Sequence, residues 1–182
     1  YPTYFAGAQF IHFLLGPAVV ALGWPLWQRR AELRQRWGRL LLAALAGGTV
    51  AATSAVGLGW ALGLPTDMLL SLAPKSITAP VAMGVAAQIG GVPALAALFA
   101  VLTGMVGALS GRTLFKWLGV GTHKQGMLAR GFALGTASHG IGAAQALQDD
   151  ADAGAYAGLA LGLQVVLAAL LVPLIALVVR FF

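Results

Sequence analysis

The sequence predicts an all-α polytopic membrane protein: transmembrane helices plus two opposed re-entrant hairpins, arranged as in an inverted-repeat transporter. Three observations carry that prediction. The chain is 59% hydrophobic and 9% charged, with a mean hydropathy of +0.87, whereas a soluble domain carries roughly 25% charged residues. Several apolar runs reach the ~20 residues a helix needs to cross the hydrocarbon layer, and they lack the alternation of barrel strands. Two of the runs are broken, by PKSITAP (Pro74 to Pro80) and by GTASHGIG (Gly135 to Gly142). Irregular backbone inside a bilayer survives only where protein or a water-filled cavity satisfies its polar groups, and paired breaks point to a transporter's binding site.

The 182 residues form a single transmembrane domain. The chain starts Tyr1-Pro2 with neither Met nor a basic segment before a cleavage site, so no signal peptide is read and upstream residues are expected to be missing. There is no cysteine, hence no disulfide framework and no thiolate metal site. The net charge of +6 sits in loops between apolar runs, which reads as membrane orientation and not as nucleic-acid binding.

Residues 5–27 form the first predicted span, with Pro17 and Pro25 inside it, Trp24 and Trp27 as an interfacial belt, and Gln9 and His12 near its start. His12 reads first as a packed histidine near the interface and second as a pathway residue. The loop 28–39 follows, carrying Arg29, Arg30, Arg34, Arg36 and Arg39 against Glu32. Loops this basic stay cytoplasmic. Residues 40–63 form the second span; its Thr49, Thr53 and Ser54 are suited to bonding across helices, and Gly59-x-x-x-Gly63 to close packing.

Residues 66–91 hold the first break. With about eight residues before Pro74 and about ten after Pro80, each arm is about 12–15 Å long, half the hydrocarbon thickness. The segment is therefore either a re-entrant hairpin or one broken crossing helix. Residues 92–112 form a span with Gly104, Gly107 and Gly111 on one face, followed by a basic loop 112–130. Residues 126–150 repeat the broken pattern around His139 and end at Asp149 and Asp150; with Asp152, these acids read as a solvated interfacial turn before they read as a divalent-metal site. Residues 154–179 form the last span, with Gly154, Gly158 and Gly162 on one stripe, Gln164, and Pro173.

Charge location favours the hairpin. Nine of the eleven Lys and Arg residues lie in loops 28–39 and 112–130, and only a hairpin at 66–91 puts both loops on the cytoplasmic side. The second hairpin then enters from the opposite face. Sliding residues 69–88 by 62 positions aligns Leu72, Ser76 and Ala82 with Leu134, Ser138 and Ala144; the repeat rests on shape more than on these identities.

In each hairpin the returning arm starts a helix near mid-membrane. Pro80 suits a first helical turn, leaving Thr78 or Ala79 as its cap, and Gly140 and Gly142 expose backbone N–H groups. Helix N-termini carry about half a positive charge and unpaired donors. With Lys75, Ser76, Thr78, Thr136, Ser138, His139 and Gly140, the inventory is donors, one fixed positive charge and one titratable ring, with no carboxylate. That chemistry fits a small carboxylate. Gln88 and Gln145 on the returning arms are secondary pathway candidates. His139 is the side chain whose ordinary pKa of ~6.5 suits proton coupling. The competing readings are a Lys75 that snorkels to the interface and a His139 that bonds a backbone carbonyl. No metal site, cofactor motif, phosphate-cradling loop or catalytic Ser/His/Asp arrangement is read, so no enzyme is predicted.

At LAPKSITAPVAMGVAAQIGG (Leu72 to Gly91), RGFALGTASHGIGAAQAL (Arg130 to Leu147) and FAGAQFIHFLLGPAVVAL (Phe5 to Leu22), the chain resembles the LrgB/CidB family over essentially its whole length. The resemblance implies about two further apolar segments upstream. It also implies two competing functions. One is transport of small monocarboxylates or 2-hydroxy acids (glycolate, glycerate, lactate or pyruvate), as in the family's plastidal glycolate/glycerate transporters. The other is an antiholin-like role, modulating murein hydrolase activity and lysis with a holin-like LrgA/CidA partner. Lys75, Ser76, Thr78, Ser138 and His139 fall in the family's signature segments. A multi-pass protein of the bacterial inner membrane is expected, in contact with lipid and dimeric, the Gly-bearing spans 40–63 and 154–179 being candidates for close packing within the protomer or at the dimer interface.

Overall fold

The structure, a computed structural model, describes residue 27 and residues 30–179. The first predicted span, with Gln9, His12 and Trp24, lies outside the described residues. Six helices follow: α1 (Arg30–Ala61), α2 (Thr66–Leu72), α3 (Ala79–Ile89), α4 (Pro93–Trp117), α5 (Lys124–Asp149) and α6 (Ala151–Val179). No strand occurs among the described residues. Among the described residues three helices, α1, α4 and α6, are long and apolar enough to cross a membrane.

Helix boundaries depart from the sequence reading where charge meets helix propensity. The basic segment 28–39 is helical from Arg30 on, and α4 carries Arg112 and Lys116 within its last turns, so the second basic loop shrinks to residues 118–123. Arg and Lys are good helix formers, so charge marks the edge of the apolar layer without ending the helix. What ends α1 and α4 is glycine. Gly63 and Gly119 take left-handed backbone at φ 75° and 68°. Leu64 N–H then bonds Gly59 O (3.0 Å) and Val120 N–H bonds Phe115 O (2.9 Å), the six-residue closure of a glycine C-cap. Gly63 is thus a stop signal and not half of a packing pair; only Gly59 is covered, by Leu69 and Leu72. Thr53 and Ser54 bond carbonyls of their own helix, Thr49 O and Ala51 O, and not a neighbouring helix.

The first break interrupts the helix at the residues the sequence marks. α2 stops at Leu72, residues 73–78 turn, and α3 begins at Ala79 with Thr78 as cap and Pro80 in its first turn. Ser71 Oγ accepts the N–H of Val92 at 2.7 Å and donates to Asp67 O at 2.6 Å. The chain therefore leaves Ser71 and comes back to it twenty-one residues later.

The second break differs from the open Gly-rich tip expected. Two helical arms make up Lys124–Asp149 and meet at a kink at His139 (φ 42°, ψ −132°). The arms on either side fold back on one another. A Cβ on Gly142 would lie 2.5 Å from the carbonyl oxygen of Leu134, whereas eight residues of straight helix would separate the two by about 12 Å.

Small residues hold the two arms of α5 between α4 and α6. On the α4 side, Gly104, Gly107 and Gly111 face His139, Ser138 and Leu134 in turn. On the α6 side, Gly131 and Gly135 lie against the backbone carbonyls of Ala153 and Ala157. That approach is possible only without a Cβ. Of the stripe predicted on α6, Gly154 abuts Leu147 and Gly162 faces open space.

Candidate functional site

The described structure distributes the sequence-predicted site residues over both breaks. At the first tip, Ser76 is buried, while Lys75 and Thr78 are half-buried. Lys75 Nζ donates to Ser76 Oγ at 3.1 Å. At the second tip, Ser138 and His139 are 1% and 4% exposed, and Gly140 is half-buried. The His139 ring lies 2.7 Å, Nε2 to O, from the carbonyl of Ala100. A carbonyl only accepts, so Nε2 carries a proton and donates.

α4 connects the two breaks at one level. The Ala100 side chain belongs to the core cluster that contains Ile77 of the first tip and Ala82, Val85 and Ala86 of α3, while its carbonyl takes the His139 bond. Behind each tip a helix starts: α3 at Ala79, and the second arm of α5 at Gly140.

Two cavities lie against α1. One, of about 110 Å³, lies between α1, the first tip and α6 and is lined by Ser76, Ile77, Gly48 and Gln164 among others. The other, of about 610 Å³, lies between α1 and the first arm of α5, with Arg36, Arg39, Gln125 and Thr136 in its wall. Lys75 and His139 line neither. Thr136 Oγ1 is spent on Phe132 O, at 2.9 Å. Gln88 is exposed on the outer face of α3. Gln145 sits near the C-terminal end of α5, 3.4 Å from Asp149.

The acidic turn serves structure. Asp149 pairs with Arg112 of α4, and Asp150 Oδ1 accepts the N–H of Ala153 at 2.9 Å, capping α6. Arg130 donates to Val120 O and lies over the Phe115 ring, 5.5 Å from its centroid. These contacts tie the ends of α5 to α4 and the 118–123 loop.

Sequence reasoning noted Gln164 only as part of an apolar span. In the structure it is 4% exposed, donates from Nε2 to Ala44 O at 2.6 Å, and lines the smaller cavity beside the first tip. The signal was present in its type: a carboxamide in an apolar helix must find a polar partner or a cavity.

Comparison with known proteins matches residues 1–178 to the LrgB-like family. Among relatives, YxaC of Bacillus subtilis, an uncharacterised protein, is 38% identical over 81% of this chain and 63% of its own length. An uncharacterised protein of Haemophilus influenzae is 32% identical over 100% of this chain and 77% of its own. The holin-like protein CidB of Staphylococcus aureus is 29% identical over 97% and 76%. The chain thus spans less than two thirds of YxaC and about three quarters of the other two. No solved structure matches. With a family match over nearly its full length and three helices fit to cross a bilayer, this chain is a membrane protein that belongs to the LrgB-like family.

Proposed function

We propose that the chain is a secondary carrier of small monocarboxylates and 2-hydroxy acids, of the glycolate, glycerate, lactate or pyruvate class. The observation that carries this reading is the pair of helix starts inside the apolar body, each preceded by buried polar side chains: Ser76 ahead of α3, and Ser138 and His139 ahead of the second arm of α5. Such ends supply donors and partial positive charge. Lys75, Ser76 and Thr78 form the recognition elements of one tip, and Thr136, Ser138, His139 and Gly140 those of the other. His139 is the group for proton coupling if transport is proton-linked.

In this reading residues 66–91 and 126–150 are re-entrant hairpins from opposite faces, and one bundle rocks against the other around the tips. The Ser71–Val92 bond and the folded-back arms of α5 support it. The protein is a multi-pass dimer in the bacterial inner membrane, with segments 28–39 and 112–130 at the cytoplasmic surface. Uptake of labelled glycolate into liposomes holding the purified chain tests the reading. The expected result is saturable uptake, lost in Lys75→Ala; absence of flux for every small acid overturns it.

A second reading is an antiholin-like component that modulates murein hydrolase activity and lysis with a holin-like partner of the LrgA/CidA type. The name of the staphylococcal relative, matched along 97% of this chain, favours this reading more directly than it favours any substrate. It predicts that co-expression with such a partner shifts hydrolase activity and that the two cross-link in the membrane. A Lys75→Ala variant that still does both separates this role from the carrier.

A further inference from the structure

Among the described residues, the wall of the cavity beside the first tip carries no charge and has two buried polar side chains, Gln164 and Ser76, whose hydrogen-bonding capacity is incompletely used. Gln164 is 4% exposed, and its Nε2 is committed to Ala44 O at 2.6 Å. That bond fixes the carboxamide, because an oxygen placed there would face a carbonyl. Oε1 is thereby directed to the other side, against Gly48, which has no Cβ to obstruct it. Among the described residues Oε1 accepts no hydrogen bond.

The second polar group is Ser76. Its oxygen accepts from Lys75 Nζ, which leaves its O–H to donate elsewhere. Both Ser76 and Gln164 line the cavity, and among the described residues no ionisable side chain does. The volume of about 110 Å³ holds several waters and hence a solute of a few heavy atoms.

An ionised carboxylate here would feel the Lys75 charge through Ser76, but it has no donor for Gln164 Oε1 and would set acceptor against acceptor there. An undissociated acid is different: it offers one O–H donor and one carbonyl acceptor side by side. We infer that this chamber binds a small monocarboxylic acid in its undissociated form, with Gln164 Oε1 accepting the acid O–H and Ser76 Oγ donating to its carbonyl. Lys75 then acts as a positioning residue that holds Ser76 in donor orientation. The inference rests on the carrier reading and deepens it, by naming the form of the substrate and a residue, Gln164, that selects it.

The test is displacement of labelled glycolate from the full chain in lipid nanodiscs by glycolamide, a neutral isostere with an N–H donor beside its carbonyl. Glycolamide is expected to compete within about tenfold of unlabelled glycolate. Gln164→Leu and Ser76→Ala are each expected to weaken both compounds by roughly tenfold or more, since each leaves a buried partner unsatisfied. Glycolate displaced by itself but not by about a hundredfold excess of glycolamide overturns the chamber assignment and leaves the carrier reading standing. Wild-type affinity in both folded variants does the same. If labelled glycolate does not bind at all, the chamber and the carrier reading fall together. The competition needs no variant, so a misfolded Gln164→Leu does not decide the matter.

Discussion

His139 Nε2 sits 2.7 Å from the carbonyl oxygen of Ala100, and His139 is the one described non-glycine residue with positive φ. The bond pins the kink of α5 to α4, and the backbone at φ 42°, ψ −132° is a conformation that glycine adopts more readily. Strain of this kind costs about 1–3 kcal/mol and persists where surrounding contacts over-determine it.

The pair makes a prediction that separates ring from backbone. His139→Ala loses the bond and keeps the strain, whereas His139→Gly loses the bond and relieves the strain. The glycine variant is therefore expected to be the more stable of the two, by about 1–2 kcal/mol. Thermal unfolding in detergent checks it. Equal melting temperatures would remove strain at the kink from the account.

Substitution along the glycines that pack the arms of α5 should grade by what lies opposite. A Cβ at Gly131 or Gly135 meets the carbonyls of Ala153 and Ala157, which belong to helix backbone and cannot turn aside. A Cβ at Gly104 meets the His139 ring at 2.7 Å, and one at Gly57 meets nothing within 4 Å. Gly131→Ala and Gly135→Ala are expected to destabilise most, at about 3 kcal/mol or more, and Gly104→Ala by about 1–3 kcal/mol. Gly57→Ala should be neutral or stabilising by up to about 1 kcal/mol. Chemical or thermal denaturation of the four variants gives the order.

Ser71 is fully buried and closes the first excursion by accepting Val92 N–H. Ser71→Ala leaves that N–H unpaired away from water, at about 1–3 kcal/mol. Hydrogen exchange should accelerate at Val92 first, ahead of the α5–α6 body. Unchanged protection at Val92 would mean that the Ser71 bond does not hold the ends of the segment together.

The absence of native cysteine permits a direct test of sidedness. Thr66→Cys and Gln88→Cys, both on exposed residues at the open end of the first break, are expected to react with a membrane-impermeant thiol reagent from the same, outer side. Labelling from opposite sides would identify a broken crossing helix in place of a hairpin.

The class of the protein was legible in composition, because the price of unpaired polar backbone in lipid leaves few architectures for so apolar a chain. The breaks at Pro74–Pro80 and around His139 were legible for the same reason, as were the helix start at Pro80 and the smooth face of α4. Helix ends within charged segments were not. Arg30 to Arg39 and Arg112 to Trp117 are helical because helix propensity ignores the water boundary that hydropathy detects.

Sequence by itself determined that this chain is helical and membrane-embedded, and that two polar interruptions lie within it, since each follows from local transfer costs and local turn chemistry. Only the tertiary structure decided what the polar groups face: His139 against Ala100, Gln164 between Ala44 and an uncharged cavity, Gly131 and Gly135 against the carbonyls of α6. Those pairings join residues far apart in the chain. In an interior where most helix faces are equally apolar, hydropathy does not distinguish one neighbour from another; close packing and the need to satisfy each buried donor do.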